Sequence, residues 1–159
     1  MAALSKTRAW YLRPFIILAL ETGMRRSEIL ALQWNAIDLV SGLAVLELSK
    51  NGYGRTVPLT PKAIEILTEL PRNGKNVFPI KANAVRLAWE RLRKRADLDD
   101  IKMHSMRHEA ISRMFEIGLT IPEVSVVSGH RTLSCLQRYT HLKPENVAAK
   151  LARLSGQSS

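Results

Sequence analysis

The chain has 159 residues, enough for one domain that buries roughly two-thirds of the surface its unfolded form exposes. Lys and Arg number 24 against 14 Asp and Glu, so the formal charge is +10 and a polyanionic partner is favoured. The lone Cys135 excludes an intrachain disulfide framework, and the apolar run from Phe15 to Leu20 is too short to span a bilayer and has no cleavage site after it. A cytoplasmic protein with no membrane partner is expected.

In chain order, residues 1–9 read as a residual linker. Residues 9–21 carry Trp10, Phe15, Ile16, Ile17 and Leu20 at helical spacing, with Pro14 in the tolerated first turn and Gly23 as terminator. A second helix restarts over Arg25 to Leu32, with Ile29, Leu30 and Leu32 on its core face. Leu43 to Ser49 and Arg55 to Leu59 read as two strands joined by the turn-rich Asn51-Gly52-Tyr53-Gly54, and Ile37 to Leu39 as a third.

Thr60 caps the next helix with Pro61 at its first position, running to about Leu70. Lys81 to Ala96 is a basic amphipathic helix with Val85, Ala88, Trp89 and Leu92 inward, and Arg86, Arg91, Arg93, Lys94 and Arg95 form the densest basic patch of the chain. Alone, that patch is equally a solvated helix face or a nucleic-acid contact. Met103 to Gly118 places Met106, Ala110, Ile111 and Met114 at core spacing, and Thr120 opens a further helix with Glu123 completing a capping box. Residues 131–139 and 144–154 are read as the last two helices, and 155–159 as a disordered tail. The class is α+β, mainly α-helical, with a small antiparallel hairpin insert.

The chemistry lies in three blocks, MHSMRH, SGHRT and RYTHL, preceded by TGMRRSEILAL. They supply Arg25, His104, Arg107, His130 and Tyr139. Cleaving a phosphodiester develops negative charge on equatorial, attacking and leaving oxygens. Arginine forks bind non-bridging oxygens two at a time, imidazoles move protons near neutral pH, and a phenol can serve as nucleophile. Arg25 follows a helix-ending Gly and sits at the next helix's start, where backbone N–H groups also favour anions. His104 and Arg107, at i and i+3, share one helix face. Gly129 permits a positive φ that lets His130 project from the next helix's start.

Each piece alone has an ordinary reading: a surface arginine, a capping histidine, a core tyrosine. A zinc reading of His104 with His108 fails because HSMRH lacks the glutamate of HExxH and puts Arg107 beside the metal. His108 reads as a packing or hydrogen-bonding residue rather than a catalytic one, and His141 likewise. Together, the order and spacing of the full set are specific.

At these residues the chain resembles the tyrosine recombinases of the phage-integrase family, over about Leu18 to Leu151. The resemblance implies the family's catalytic-domain fold and DNA cleavage and rejoining without metal, nucleotide or other cofactor. Tyr139 matches the nucleophile that forms a 3′-phosphotyrosyl bond and frees a 5′-hydroxyl. Arg25 and Arg107 match the arginine pair, and His130 the histidine on a non-bridging oxygen. His104 matches the residue that assists proton transfer from tyrosine, Lys50 the hairpin lysine that protonates the leaving oxygen, and Glu28 an acidic residue that props the site.

Ser105, Glu109 and Ser128 depart from the family's His-Asp-Leu-Arg-His-Thr and Leu-Gly-His. The resemblance further implies double-stranded DNA at a recombination site, a homo-oligomer (a tetramer) on that DNA, accessory DNA-bending proteins, and a nucleoid-associated role in a bacterium, prophage or mobile element. The family's N-terminal core-binding domain has no counterpart in these 159 residues, and the helix over 144–154 is expected to dock on a neighbouring protomer. A type IB topoisomerase and a non-catalytic DNA-binding or regulatory module are the competing functions.

Overall fold

The computed structural model describes residues 9–47, 54–130, 132, 134–140 and 144–156, with Asn146 and Leu154 described in backbone only. Lys50, the turn residues 51–53, His141, residues 1–8 of the linker and residues 157–159 of the tail fall outside the described residues, while Ser155, read as part of the tail, belongs to the last helix.

Helix α1, Leu12–Thr22, is the centre of the molecule. Its Leu12, Phe15, Ile16, Leu18 and Ala19 are buried, and Gly23 ends it in the left-handed conformation, φ 63°. It begins two residues before Pro14, which lies within the first turn, where a missing N–H costs nothing. Phe15 meets Phe78 edge-on, ring centroids 5.3 Å apart. Helix α2, Arg26–Ala31, follows after three residues.

Strands β1 (Ile37–Asp38), β2 (Leu43–Leu46) and β3 (Arg55–Pro58) form one antiparallel sheet in that order. The register pairs Ala44 with Val57 and Leu46 with Arg55. Ala44 and Leu46 point inward while Leu43 and Val45 face out, the alternation that the sequence predicts. Strand β2 stops at Leu46, shorter than expected from periodicity, and Pro58 closes the edge strand β3, a position where proline removes no ladder bond.

Helix α3, Pro61–Glu69, has the predicted cap: the Thr60 hydroxyl accepts the Ala63 N–H at 3.2 Å. Helix α4, Ala82–Arg95, buries Val85, Ala88 and Leu92, and Trp89 is half-buried. Helix α5, Ser105–Glu116, buries Met106, Ala110, Ile111 and Met114 as expected, and Arg107 with them. Helix α6 is Ile121–Ser128, with Glu123 accepting from both the Thr120 N–H and its hydroxyl.

The predicted helix over 131–139 is corrected to one turn, α7, Ser134–Gln137; Tyr139 lies just beyond it, its N–H on the Leu136 carbonyl. Helix α8, Pro144–Ser155, follows. Helix α1 packs against α2, α3, α4 and α5, while β3 packs on α6. That arrangement brings the carboxyl ends of α1 and α6 to the start of α5. Every described side chain of α8 is exposed, including Val147 and Leu151. Among the described residues no helix is long and apolar enough to cross a membrane.

Candidate active site

Arg107 is the hub. It is 5% exposed, yet among the described residues no carboxylate pairs with it. Its Nη1 donates to the Gly23 carbonyl just past the end of α1, and its Nη2 to the Ser128 carbonyl at the end of α6, at 2.7 Å. Both acceptors belong to helix carboxyl ends, where the backbone dipole is negative. A cation can therefore be desolvated without being cancelled. Burial, followed by the repulsion of Arg25, lowers its pKa to about 10, which leaves it charged at neutral pH.

Arg25 is the N-cap residue of α2, and its side chain is half exposed. Glu28 closes that helix start, accepting the Arg25 backbone N–H at 2.7 Å and its Nη1 at 3.1 Å.

Glu28 also accepts Nη1 and Nη2 of Arg55, at 2.6 and 3.1 Å. Burial opposes its ionisation, but the Arg55 hydrogen bond, the Arg25 N–H and the charges of both arginines outweigh it, and its pKa is lowered. Arg55 Nε reaches the Val127 carbonyl as well, at 3.4 Å, so one guanidinium ties β3 to α2 and α6. It passes over Gly129, where a Cβ would lie 2.8 Å from the guanidinium carbon and φ is +71°. Arg55 is thus a clamp within the protein.

His130 presents Nδ1 to the Ser128 hydroxyl at 2.7 Å and to Arg107 Nη2 at 3.4 Å. A guanidinium only donates, so Nδ1 is an acceptor and the ring proton resides on Nε2. Burial first, then Arg107, Arg25 and two further arginines, pushes its pKa down to about 4. The ring is a neutral donor. Ser128, fully buried, is a departure from the family pattern that the structure puts to use.

His104 sits at the start of α5, and a cleft of about 400 Å³ is lined by His104, Arg25 and Arg107 together with Met24, Met103 and Met106. Tyr139 is half-buried. Its ring stacks near Phe115 and His108, Arg138 lies over it at 5.3 Å, and its hydroxyl hydrogen-bonds to Nδ1 of His108. The hydrogen-bonding reading of His108 holds, but its partner, 31 residues on, is not visible in the local sequence.

The structure therefore brings together Arg25, Glu28, His104, Arg107 and His130, with Tyr139 joined through His108. Lys50 lies outside the described residues. The basic residues of α4 are not among those lining the cleft. Arg86 pairs with Glu90 at 2.6 Å and Arg93 donates to the Asp99 carbonyl, while Arg91 and Lys94 are exposed.

Residues 1–146 match the family model described as the phage integrase family. The chain is 46% identical over 136 residues to a shufflon-specific DNA recombinase of Escherichia coli, covering 84% of this chain and 35% of that protein. It is 33% identical over 139 residues to tyrosine recombinase XerC of Xanthomonas axonopodis pv. citri (strain 306), covering 80% of this chain and 45% of the relative. The chain thus spans less than half the length of these curated relatives. Among solved structures, the catalytic domain of bacteriophage HP1 integrase aligns with a TM-score of 0.72 over 95% of this chain and 86% of that one, at 22% identity. The XerA recombinase aligns with a TM-score of 0.70 over 96% of this chain and 59% of that one, at 18% identity. Sequence and fold agree: the chain belongs to the phage integrase family, and its fold is that of the tyrosine-recombinase catalytic domain.

Proposed function

We propose that this chain cleaves and rejoins double-stranded DNA at a recombination site by transesterification. The observation that carries the reading is Arg107: a buried cation whose protein partners are neutral carbonyls, so that its charge stays available to a phosphate, with Arg25 and His130 beside it. Arg25 and Arg107 clamp the non-bridging oxygens and take up charge as the pentacoordinate phosphorus forms. They supply the electrostatic stabilisation that a metal gives other phosphoryl-transfer enzymes. His130 donates Nε2–H to one of those oxygens, and Glu28 holds Arg25 in place.

Tyr139 attacks phosphorus, making a 3′-phosphotyrosyl bond and a free 5′-hydroxyl, with His104 assisting proton transfer and Lys50 protonating the leaving oxygen. Bond energy is kept in the phosphotyrosine, and a partner strand's 5′-hydroxyl reverses the step. Arg86, Arg91, Arg93, Lys94 and Arg95 of α4 are assigned to the DNA backbone, where such cations position a duplex without reading its sequence. Strand exchange takes place in a tetramer on DNA, in a bacterial or phage setting, with α8 of one protomer docked on the next. The exposed Val147 and Leu151 support that docking.

The test is covalent trapping. A duplex selected from a random pool for adduct formation with the wild-type chain, nicked so that the 5′-end diffuses away, should accumulate protein–DNA adduct. Tyr139→Phe should form none while binding the same duplex to within about twofold, since it removes one hydroxyl and no charge. An adduct with the Phe variant would refute Tyr139 as nucleophile.

A further inference from the structure

We propose that His108 is a further catalytic residue, the one that takes the proton from Tyr139 as it attacks phosphorus. The inference rests on the reading of Tyr139 as nucleophile. Three observations lead to it. First, the hydrogen-bond partner of the Tyr139 hydroxyl among the described residues is His108 Nδ1. His104, which assists that transfer, caps the start of α5 one turn earlier, its ring edge-on to that of His108 with centroids 4.7 Å apart.

Second, α5 holds the tyrosine ring as well as its hydroxyl. His108 and Phe115 are seven residues apart and share one face of the helix. Both rings run nearly parallel to that of Tyr139, at 26° and 17°. The phenol is thereby presented to Nδ1 by a docking surface from the same rigid element that carries Arg107. A hydrogen bond made before reaction is the geometry a general base requires.

Third, the surroundings keep the imidazole neutral and ready to accept. Burial lowers the His108 pKa, and the nearby His104, Arg138 and Arg107 lower it further. In the step itself, the Tyr139 Oη–P bond forms while the Oη–H bond breaks, and the proton moves to Nδ1 to give an imidazolium. The P–O5′ bond breaks with its electron pair on O5′, which takes a proton from the Lys50 ammonium. In religation His108 returns its proton to Oη as the incoming 5′-hydroxyl, giving its own proton to the neutral Lys50 amine, displaces it from phosphorus.

The experiment compares wild type, His108→Ala and His108→Asn on the selected duplex, and on the same duplex with a bridging 5′-sulfur, a leaving group that needs no acid. Asn keeps an acceptor near the Nδ1 position but takes no proton. Both variants should form adduct on the order of 10²–10³-fold more slowly on both substrates, and added imidazole should raise the Ala variant's rate. An Asn variant within threefold of wild type would show that a hydrogen bond alone suffices, and an Ala variant at the wild-type rate would remove any role; either overturns the proposal. Tyr139→Phe runs alongside: an adduct there sinks the nucleophile reading itself, whereas a dead Phe variant with an active Ala variant sinks this inference alone. Should His108 variants fail to fold, the ¹⁵N resonance of His108 Nδ1 in wild type and in Tyr139→Phe decides. It should move when the phenol is lost, and an unmoved resonance overturns the proposal.

Discussion

Arg55 and Glu28, 27 residues apart in the chain, form a two-point ion pair, Nη1 to Oε1 at 2.6 Å and Nη2 to Oε2 at 3.1 Å, with both side chains about 15% exposed. The pair joins the hairpin to the helix whose first residues hold Arg25.

Its stability contribution has a definite pH window. The folded-state pKa of Glu28 is lowered, so the ionised pair contributes fully above the ordinary carboxylate range and is lost as pH falls through the lowered value. Glu28→Gln should cost about 2 kcal/mol at pH 7, the worth of a charged hydrogen-bond pair. It should also lose less stability on acidification than wild type. Denaturant midpoints at pH 7 and pH 3 for both proteins check this; parallel losses would mean that Glu28 is not ionised in the pair.

Arg107→Lys keeps the charge but not the fork. One ammonium cannot replace a planar group that meets the Gly23 and Ser128 carbonyls from two nitrogens and a phosphate besides. Adduct formation should fall on the order of 10²–10³-fold. The melting temperature should fall too, by the equivalent of about 1–3 kcal/mol for the carbonyls left unpaired. A lysine variant within twofold of wild type would show that Arg107 acts only through bulk charge.

Ser128→Ala removes the shorter of the two hydrogen bonds that hold His130 Nδ1 as acceptor. The ring then loses its fixed orientation, and adduct formation should slow about five- to tenfold, one hydrogen bond's worth. Because His130 has a lowered pKa of about 4, its neutral form favours the fold above the usual imidazole pKa, and this contribution declines as pH drops toward 4. Cleavage by wild type should therefore show no loss attributable to His130 between pH 7 and about pH 5. A ¹⁵N titration of His130 reads this directly; a midpoint above 6 would contradict it.

Deleting residues 144–159 should impair strand exchange between two sites more than cleavage at one. Helix α8 exposes Val147 and Leu151 and buries no described side chain. Equal loss of both activities would place the helix against its own domain instead.

Local signals in the sequence located most elements. The Thr60-Pro61 start, Gly23 and Gly129 as helix ends, and the Thr120–Glu123 capping box are all determined by residues within four positions of one another, and each appears as read. Core spacing on α5 likewise identified Met106, Ala110, Ile111 and Met114. What periodicity could not show is that polar Arg107 is buried on the same helix, because its acceptors come from the ends of α1 and α6. The same holds for Arg55 on Glu28, His108 on Tyr139 and Ser128 on His130: the first two partners are set by tertiary placement, and the third by a turn conformation. The one-turn length of α7 was overestimated because apolar spacing through Leu136 continues in the sequence past the point where the backbone turns to present Tyr139.

That no described carboxylate stands against Arg107 also has a consequence for salt. Cations on an outer protein surface lose affinity for DNA as bulk ions restore its counterion atmosphere, a loss that grows steadily with salt concentration. A recessed guanidinium flanked by Arg25 and a neutral N–H donor behaves differently: it is a charge waiting for a counterion, and a tetrahedral oxyanion matches it better than chloride does. Sulfate or phosphate should then inhibit cleavage beyond what equal ionic strengths of chloride produce, and do so without weakening DNA binding in proportion.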